Sequence, residues 1–251
     1  MKEKTETLLH KILWRTSFSY RAYCNSIKAE KAIDTKLDEI IYGLIYESTT
    51  RDSKWLAKGI SPGRWAVGYN FMYVLYRVLN ETNPESILEL GAGQTTKLIM
   101  DYKKYQKNTK HITIEQDDSW KAQLQKMFED DLEFIKVLPL KVVDFKGAKV
   151  NRYDYFKETL EKEQFDLILI DGPWGSQGYE RIDILDILPN CLTSSFIIII
   201  DDCQSDAAKA TMKLLQEKLY NSGIDHRTGV YHGETDVKII TSKDKAFFCS
   251  L

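Results

Sequence analysis

Over residues 1–60 apolar side chains recur every three or four positions. Leu8, Leu9, Ile12 and Leu13 form one group, and Leu37, Ile40, Ile41, Leu44 and Ile45 form another. This is the period of amphipathic helices, whose stripe is covered by the rest of the chain or by a second copy; a membrane-surface helix is the alternative reading. The stripes hold too little apolar material for a separate core, so 1–60 is expected to be a helical cap or extension. Gly59-Ile60-Ser61-Pro62-Gly63 interrupts the period, which resumes from Arg64 to Leu79 through Trp65, Phe71, Met72, Leu75, Val78 and Leu79.

From Ser86 the pattern changes to short apolar runs separated by helical stretches. The predicted strands are Ile87–Leu90, His111–Glu115, Phe134–Leu138, Leu167–Ile170 and Phe196–Ile200. Strands alternating with helices imply a mostly parallel sheet covered on both faces. Val237–Thr241 and Ala246–Ser250 are expected to close the chain as an antiparallel hairpin, turning at Ser242-Lys243-Asp244-Lys245. The fold class is therefore α/β, with one sheet domain over 61–251 and the helical extension before it.

Composition narrows the function without choosing it. A length of 251 residues suits one such domain with an extension, and a net charge of -2 gives no reason to expect a nucleic-acid partner. Cys24, Cys191, Cys203 and Cys249 show no Cys-x-x-Cys spacing, so neither a disulfide framework nor a zinc site is indicated. The longest apolar run, Phe196 to Ile200, is too short to span a bilayer. The expectation is a cytoplasmic protein without a secretion signal or membrane span.

Candidate chemistry gathers at strand ends. Ser86-Ile87-Leu88-Glu89-Leu90-Gly91-Ala92-Gly93-Gln94-Thr95-Thr96 is a strand ending in an acid, a Gly-x-Gly turn and a helix start offering free N–H groups. Such a turn admits close ligand approach, although an ordinary tight turn has the same signature. The dinucleotide fingerprint would place a glycine where Thr96 stands, which disfavours a pyrophosphate cradle. An acid at Glu89 suits instead a ligand with a cationic amino group, such as S-adenosylmethionine (SAM). The second strand ends in Glu115-Gln116, where a carboxylate can accept from both ribose hydroxyls or simply sit in solvent. The fourth ends in Asp171 before Gly172-Pro173-Trp174-Gly175, and the fifth in Asp201-Asp202. Ligands of open α/β sheets lie outside these carboxyl ends.

Through Glu89-Leu90-Gly91-Ala92-Gly93, Glu115, Ile170-Asp171-Gly172-Pro173 and Asp201-Asp202, the stretch from Ser61 to Leu251 resembles the class I SAM-dependent methyltransferases. The resemblance implies a Rossmann-like class I methyltransferase sheet and a SAM site. Glu89, Gly91, Ala92 and Gly93, with Thr95 and Thr96, would take the methionine end. Glu115 and Gln116 would take the ribose, and Asp171 and Gly172 would face the methyl group. Asp171 is then the candidate catalytic residue. In related enzymes the region matching Ser61-Pro62-Gly63-Arg64-Trp65 folds over the cofactor; a capped helix start with Trp65 in the core is the alternative. The segment from Leu138 to Asp144, where the family frames adenine, is not distinctive.

A narrower resemblance concerns the strand-end acids. Asp171, Asp201 and Asp202 match the layout of metal-dependent O-methyltransferases of the catechol and macrolide-sugar kinds, which implies a magnesium ion held by hard oxygen ligands. The catechol type carries a lysine base where this chain has Trp174. Helix capping, or contact with SAM or acceptor without a metal, is the alternative for these acids. Asp171-Gly172-Pro173-Trp174 is also similar to the loop of amino-methylating nucleic-acid enzymes, with Gly172 in place of a second proline and no basic stripe in support. Followed by Gly175, Tyr179 and Arg181, the turn is more similar to methyltransferases of sugars and small hydroxylated compounds. The implied function is O-methylation of a small-molecule or saccharide acceptor, with homo-oligomers formed through the N-terminal helices. A non-catalytic cofactor-binding module and an NAD-dependent enzyme are the competing readings. His232 is set aside as a solvated loop histidine.

Overall fold

Ser17 starts the first long helix by accepting the Tyr20 N–H on its hydroxyl, and α1 (Phe18–Thr50) then runs unbroken for 33 residues. The structure is a computed structural model describing residues 11, 13–15, 17–57 and 66–251. Leu8, Leu9 and Ile12, the break at Gly59-Ile60-Ser61-Pro62-Gly63, and Arg64 and Trp65 lie outside the described residues. The C-terminal half of α1 packs on α2 (Tyr69–Thr82) through an aromatic seam in which Tyr42 meets Tyr73 and Tyr46 meets Tyr69 and Tyr76. Glu39 fixes the join by accepting the Tyr69 N–H at 2.8 Å, on the first turn of α2 where donors are otherwise unpaired. Asn83, in the left-handed conformation, ends α2 and returns its N–H to Leu79.

The chain then alternates as the pattern predicts: β1 (Ser86–Leu90), α3 (Gln94–Tyr105), β2 (Lys110–Glu115), α4 (Asp118–Phe128) and β3 (Ile135–Val137). An antiparallel pair follows, β4 (Leu140–Phe145) and β5 (Ala148–Tyr153), before α5 (Phe156–Leu160) and β6 (Phe165–Ile170). The remainder is α6 (Ile184–Ile187), β7 (Leu192–Ile200), α7 (Asp206–Asn221), β8 (His226–Tyr231), β9 (Val237–Ser242) and a 3-10 helix, Lys243–Cys249. Seven strands form one Rossmann-like sheet in the order β3-β2-β1-β6-β7-β9-β8. Its first five are parallel; β9 is antiparallel to β7, and β8 to β9.

Period-two alternation with both faces covered explains the unbroken apolar runs. Leu88, Leu90, Ile168, Ile170, Ile198 and Ile200 point to one core, which includes Met212, Leu215 and Leu219 of α7. Ile87, Leu167, Leu169, Ile197 and Ile199 point to the other, filled by α2 and by Leu98, Ile99 and Tyr102 of α3.

One prediction about the sheet is corrected, and one element has no counterpart in the sequence reading. Ala246–Ser250 is not a strand: most of it lies in the 3-10 helix, and the partner of β9 is β8, which precedes it. Asp244 accepts the hydroxyls of Ser195 and Ser242 and so starts the helical turn where a hairpin is expected. Gly229 of β8 lets that turn lie directly on the strand, because a Cβ there would overlap the Cys249 carbonyl. The element without a predicted counterpart is the β4–β5 hairpin, which closes on Lys146 and Gly147, both at positive φ, as a two-residue turn requires. Its outer positions are largely exposed, so its apolar signal in the sequence is weak.

Candidate functional site

The strand order reverses between β1 and β6: from β1 the sheet grows one way to β2 and β3, and the other way to β6 and β7. A crevice for ligands opens at such a switch point, beyond the carboxyl ends. The predicted residues do gather there, but in two layers.

The inner layer is centred on Glu89, whose exposure is only 1%. Its Oε1 accepts the Thr95 hydroxyl at 2.6 Å, and its Oε2 accepts the hydroxyls of Thr96 at 2.9 Å and Thr113 at 2.8 Å. Thr96 in turn accepts the Gly93 N–H at 2.8 Å, capping α3. Glu89, Thr95 and Thr96 therefore brace the turn from beneath, and none of the three side chains lines the open crevice. His111 lies 3.3 Å from Glu89 and is fully enclosed; burial lowers its pKa against the opposing pull of Glu89.

The two glycines of the turn do different work. Gly91 has φ +92°, and a Cβ there would come within 3.1 Å of the Gly172 nitrogen. Gly172 is confined equally, since a Cβ on it would meet the Gly91 nitrogen at 3.0 Å and the Tyr153 hydroxyl at 2.5 Å. The β1 and β6 turns thus lie back to back, and the Leu90 carbonyl accepts the N–H groups of both Asp171 (2.9 Å) and Gly172 (2.7 Å). Around the Cβ position of Gly93, by contrast, nothing lies within 4 Å. Gly93 faces the crevice; Gly91 and Gly172 hold its walls together.

Glu115 closes the adjacent side. Its Oε1 accepts the N–H groups of Gln116 (2.7 Å) and Asp117 (3.0 Å), and its Oε2 accepts that of Ala92 (2.9 Å). Burial raises its pKa, while these three N–H groups act to lower it. Oε2 has a single donor and so retains acceptor capacity. The Ala92 carbonyl accepts the Trp120 indole N–H at 2.8 Å, so Ala92 is held from both sides. Trp120 is placed by Asp117, which caps α4 by accepting the N–H groups of Ser119 and Trp120. Across the crevice the Tyr153 hydroxyl reaches Gln116 at 3.5 Å.

At the β6–β7 edge two carboxylates are partly open, Asp171 with 37% and Asp202 with 47% of the side chain exposed. The pKa of Asp171 is raised by burial, which outweighs Arg181 and is reinforced by Asp202. Arg181 is 9% exposed and sits between the strand ends. Its Nη2 is 3.3 Å from Asp171 Oδ1 and 3.9 Å from Asp202 Oδ2, and its Nη1 donates to the Asp201 carbonyl. The Asp201 carboxylate turns elsewhere and accepts the Thr235 hydroxyl at 2.8 Å; burial, then Asp171, pushes its pKa up to about 7.

This arrangement does not fit the magnesium expected on Asp171, Asp201 and Asp202. Two of the carboxylates face a guanidinium and the third is turned to a hydroxyl. Among the described residues no group of three His, Cys, Asp or Glu side chains is arranged to hold an ion. Trp120 and Tyr153 of the candidate site are not named by the sequence reading, and Arg181 is named there only as part of the resemblance, without a role. Trp120 had a usable signal in the acid-capped helix start after Glu115; Arg181 and Tyr153 reach the crevice only through tertiary packing. Trp174, 69% exposed, borders the turn after Asp171, and His232 is an exposed partner of Asp236 at 2.8 Å.

No family model matches the chain, and no curated protein does. Among solved structures it is similar to a methyltransferase from Podospora anserina bound to S-adenosylhomocysteine (SAH), at 14% identity over 89% of this chain and 96% of that one, with a TM-score of 0.48. An O-methyltransferase from Bacillus cereus in complex with SAH matches at 10% identity, covering 94% of this chain and 97% of that one, TM-score 0.46. Precorrin-6y C5,15-methyltransferase from Geobacter metallireducens matches at 15% identity over 76% and 95% of the two chains, TM-score 0.46.

Proposed function

We propose that the chain is a SAM-dependent methyltransferase acting on a hydroxyl of a small-molecule or saccharide acceptor. The observation that carries this reading is the open space at Gly93, flanked by Glu115 on the next strand end and Asp171 on the other. On this reading an elongated ligand lies with its amino group near the turn and its ribose near Glu115, whose Oε2 retains capacity to accept a hydrogen bond from a hydroxyl. Glu89 contributes from below, as a buried negative charge under the turn and as the brace for Thr95 and Thr96. When bound, SAM supplies an electrophilic methyl group on a sulfonium. Asp171 lies at the acceptor side, and its raised pKa makes its carboxylate the better proton acceptor. With SAM bound, Asp171 would take the proton of the acceptor hydroxyl, and the cofactor would supply the methyl group.

Calorimetric titration with SAH and with NAD tests the cofactor: binding of SAH and not of NAD is expected, and the reverse overturns the reading. A screen of hydroxylated acceptors for SAH release then separates an enzyme from a binding module. No helix among the described residues is long and apolar enough to cross a membrane, and the reading needs no nucleic-acid partner or membrane attachment.

The extension is proposed to join two copies. Ile33, Leu37, Ile40, Ile41 and Leu44 are exposed on the face of α1 turned away from α2. Pairing with a second copy would cover this stripe.

A further inference from the structure

We infer that the Arg181 guanidinium is the resident cation of the β6–β7 edge, standing among the strand-end acids in the place of a divalent ion and positioning Asp171 without a metal. The first support is coverage. One guanidinium reaches Asp171, Asp202 and the Asp201 carbonyl, so it spans both strand ends as a bridging cation would. The second is burial. A charge this enclosed is tolerated only when paired, and its partners are the acids a metal would need. Its Nε has no hydrogen-bond partner among the described residues, so the side chain is not held by some other network. The third is the backbone. Arg181 has φ 56° and Asp202 φ 54°, so both ends of one ion pair lie in the left-handed region that side chains seldom occupy. Strain at two facing positions persists where the surroundings over-determine the geometry, and the shared feature here is this contact.

A divalent ion and Arg181 are then mutually exclusive. With Arg181 present, an added cation meets like charge and finds Asp201 turned to Thr235. Without it, Asp171 and Asp202 are left as hard oxygen ligands with no counter-charge. Arg181 is accordingly a positioning residue: it fixes the Asp171 carboxylate through Nη2 and leaves the face away from the guanidinium to the acceptor.

Mn2+ binding read by electron paramagnetic resonance on the full-length protein tests this without any acceptor. The wild type is expected to show no saturable binding. Arg181→Ala is expected to bind Mn2+ about tenfold or more tightly than any residual wild-type binding, and Arg181→Lys to remain like the wild type. Saturable wild-type binding that Asp202→Asn abolishes overturns the inference, as does a folded Arg181→Ala protein that gains none. Should Arg181→Ala fail to fold, Arg181→Gln is read the same way, and the wild-type titration decides by itself. The catalytic consequence rests on the methyltransferase reading, but the Mn2+ titration does not; SAH calorimetry on the same wild-type sample shows separately whether that reading fails.

Discussion

Gly93 and Gly91 stand two residues apart and should fail in different ways. Gly93→Leu fills the open space at the turn, so SAH binding is expected to disappear by calorimetry while the thermal transition stays put. Gly91→Ala puts a side chain at φ +92° and against Gly172, and is expected to cost about 1–3 kcal/mol in denaturant unfolding. Equal loss of stability in both would remove the distinction. Glu115→Gln keeps an oxygen for the Ala92 N–H but removes the charge; with a charge-assisted bond worth about 1.5–3 kcal/mol, SAH should bind roughly tenfold to hundredfold more weakly.

Asp183 makes a separate prediction about pH. It is fully enclosed, accepts the Tyr153 N–H at 3.0 Å and lies 3.4 Å from Arg152, yet burial outweighs these partners and lifts its pKa from 3.8 to about 6. The native state therefore binds the proton more tightly than the unfolded chain does. Its contribution is full below the unfolded value and is lost as pH rises through about 6, an effect of about 2–3 kcal/mol. Asp183→Asn should flatten that part of the stability profile between pH 4 and 6, as followed by urea unfolding; Asp201, shifted the same way, leaves a residual slope. An unchanged slope would mean that Asp183 is not the group responsible.

Among the elements, α1 carries the clearest test. Sedimentation velocity should show a dimer, and Leu37→Lys with Ile41→Lys should give monomers with an unchanged thermal midpoint, because both side chains point away from the domain. A wild type that is monomeric at every concentration would refute the pairing. The element level is also where the sequence was hardest to read. The isoleucines of β7 announce a strand because both of its faces are buried, whereas β8 alternates exposed and half-buried residues at the sheet edge and leaves no such mark. The 3-10 helix has apolar residues spaced as a strand would have them, and only the Asp244 contacts and the glycine in β8 decide against that.

For the molecule as a whole, what was legible followed from chain-local signals. Glu89, Glu115 and Asp171 could be placed because each ends an apolar run, and parallel topology carries all such ends to one edge. Their hydrogen bonds were not legible. Three threonine hydroxyls draw Glu89 inward, and Arg181 comes between acids on two different strands; both depend on side chains that meet only after the sheet forms.

The shared Leu90 carbonyl has a wider meaning. The turn proposed to carry the cofactor and the turn bearing Asp171 are pinned to one oxygen atom, so their spacing is set by main chain, while Arg181 aims the Asp171 carboxylate. If the proposed methyl transfer holds, side chains around the rim, Trp174 and its neighbours among them, could be exchanged to admit a differently shaped acceptor without moving the two turns. Selectivity for the acceptor and alignment of the transfer would then be separable traits, one carried by a replaceable rim and the other by a fixed ruler.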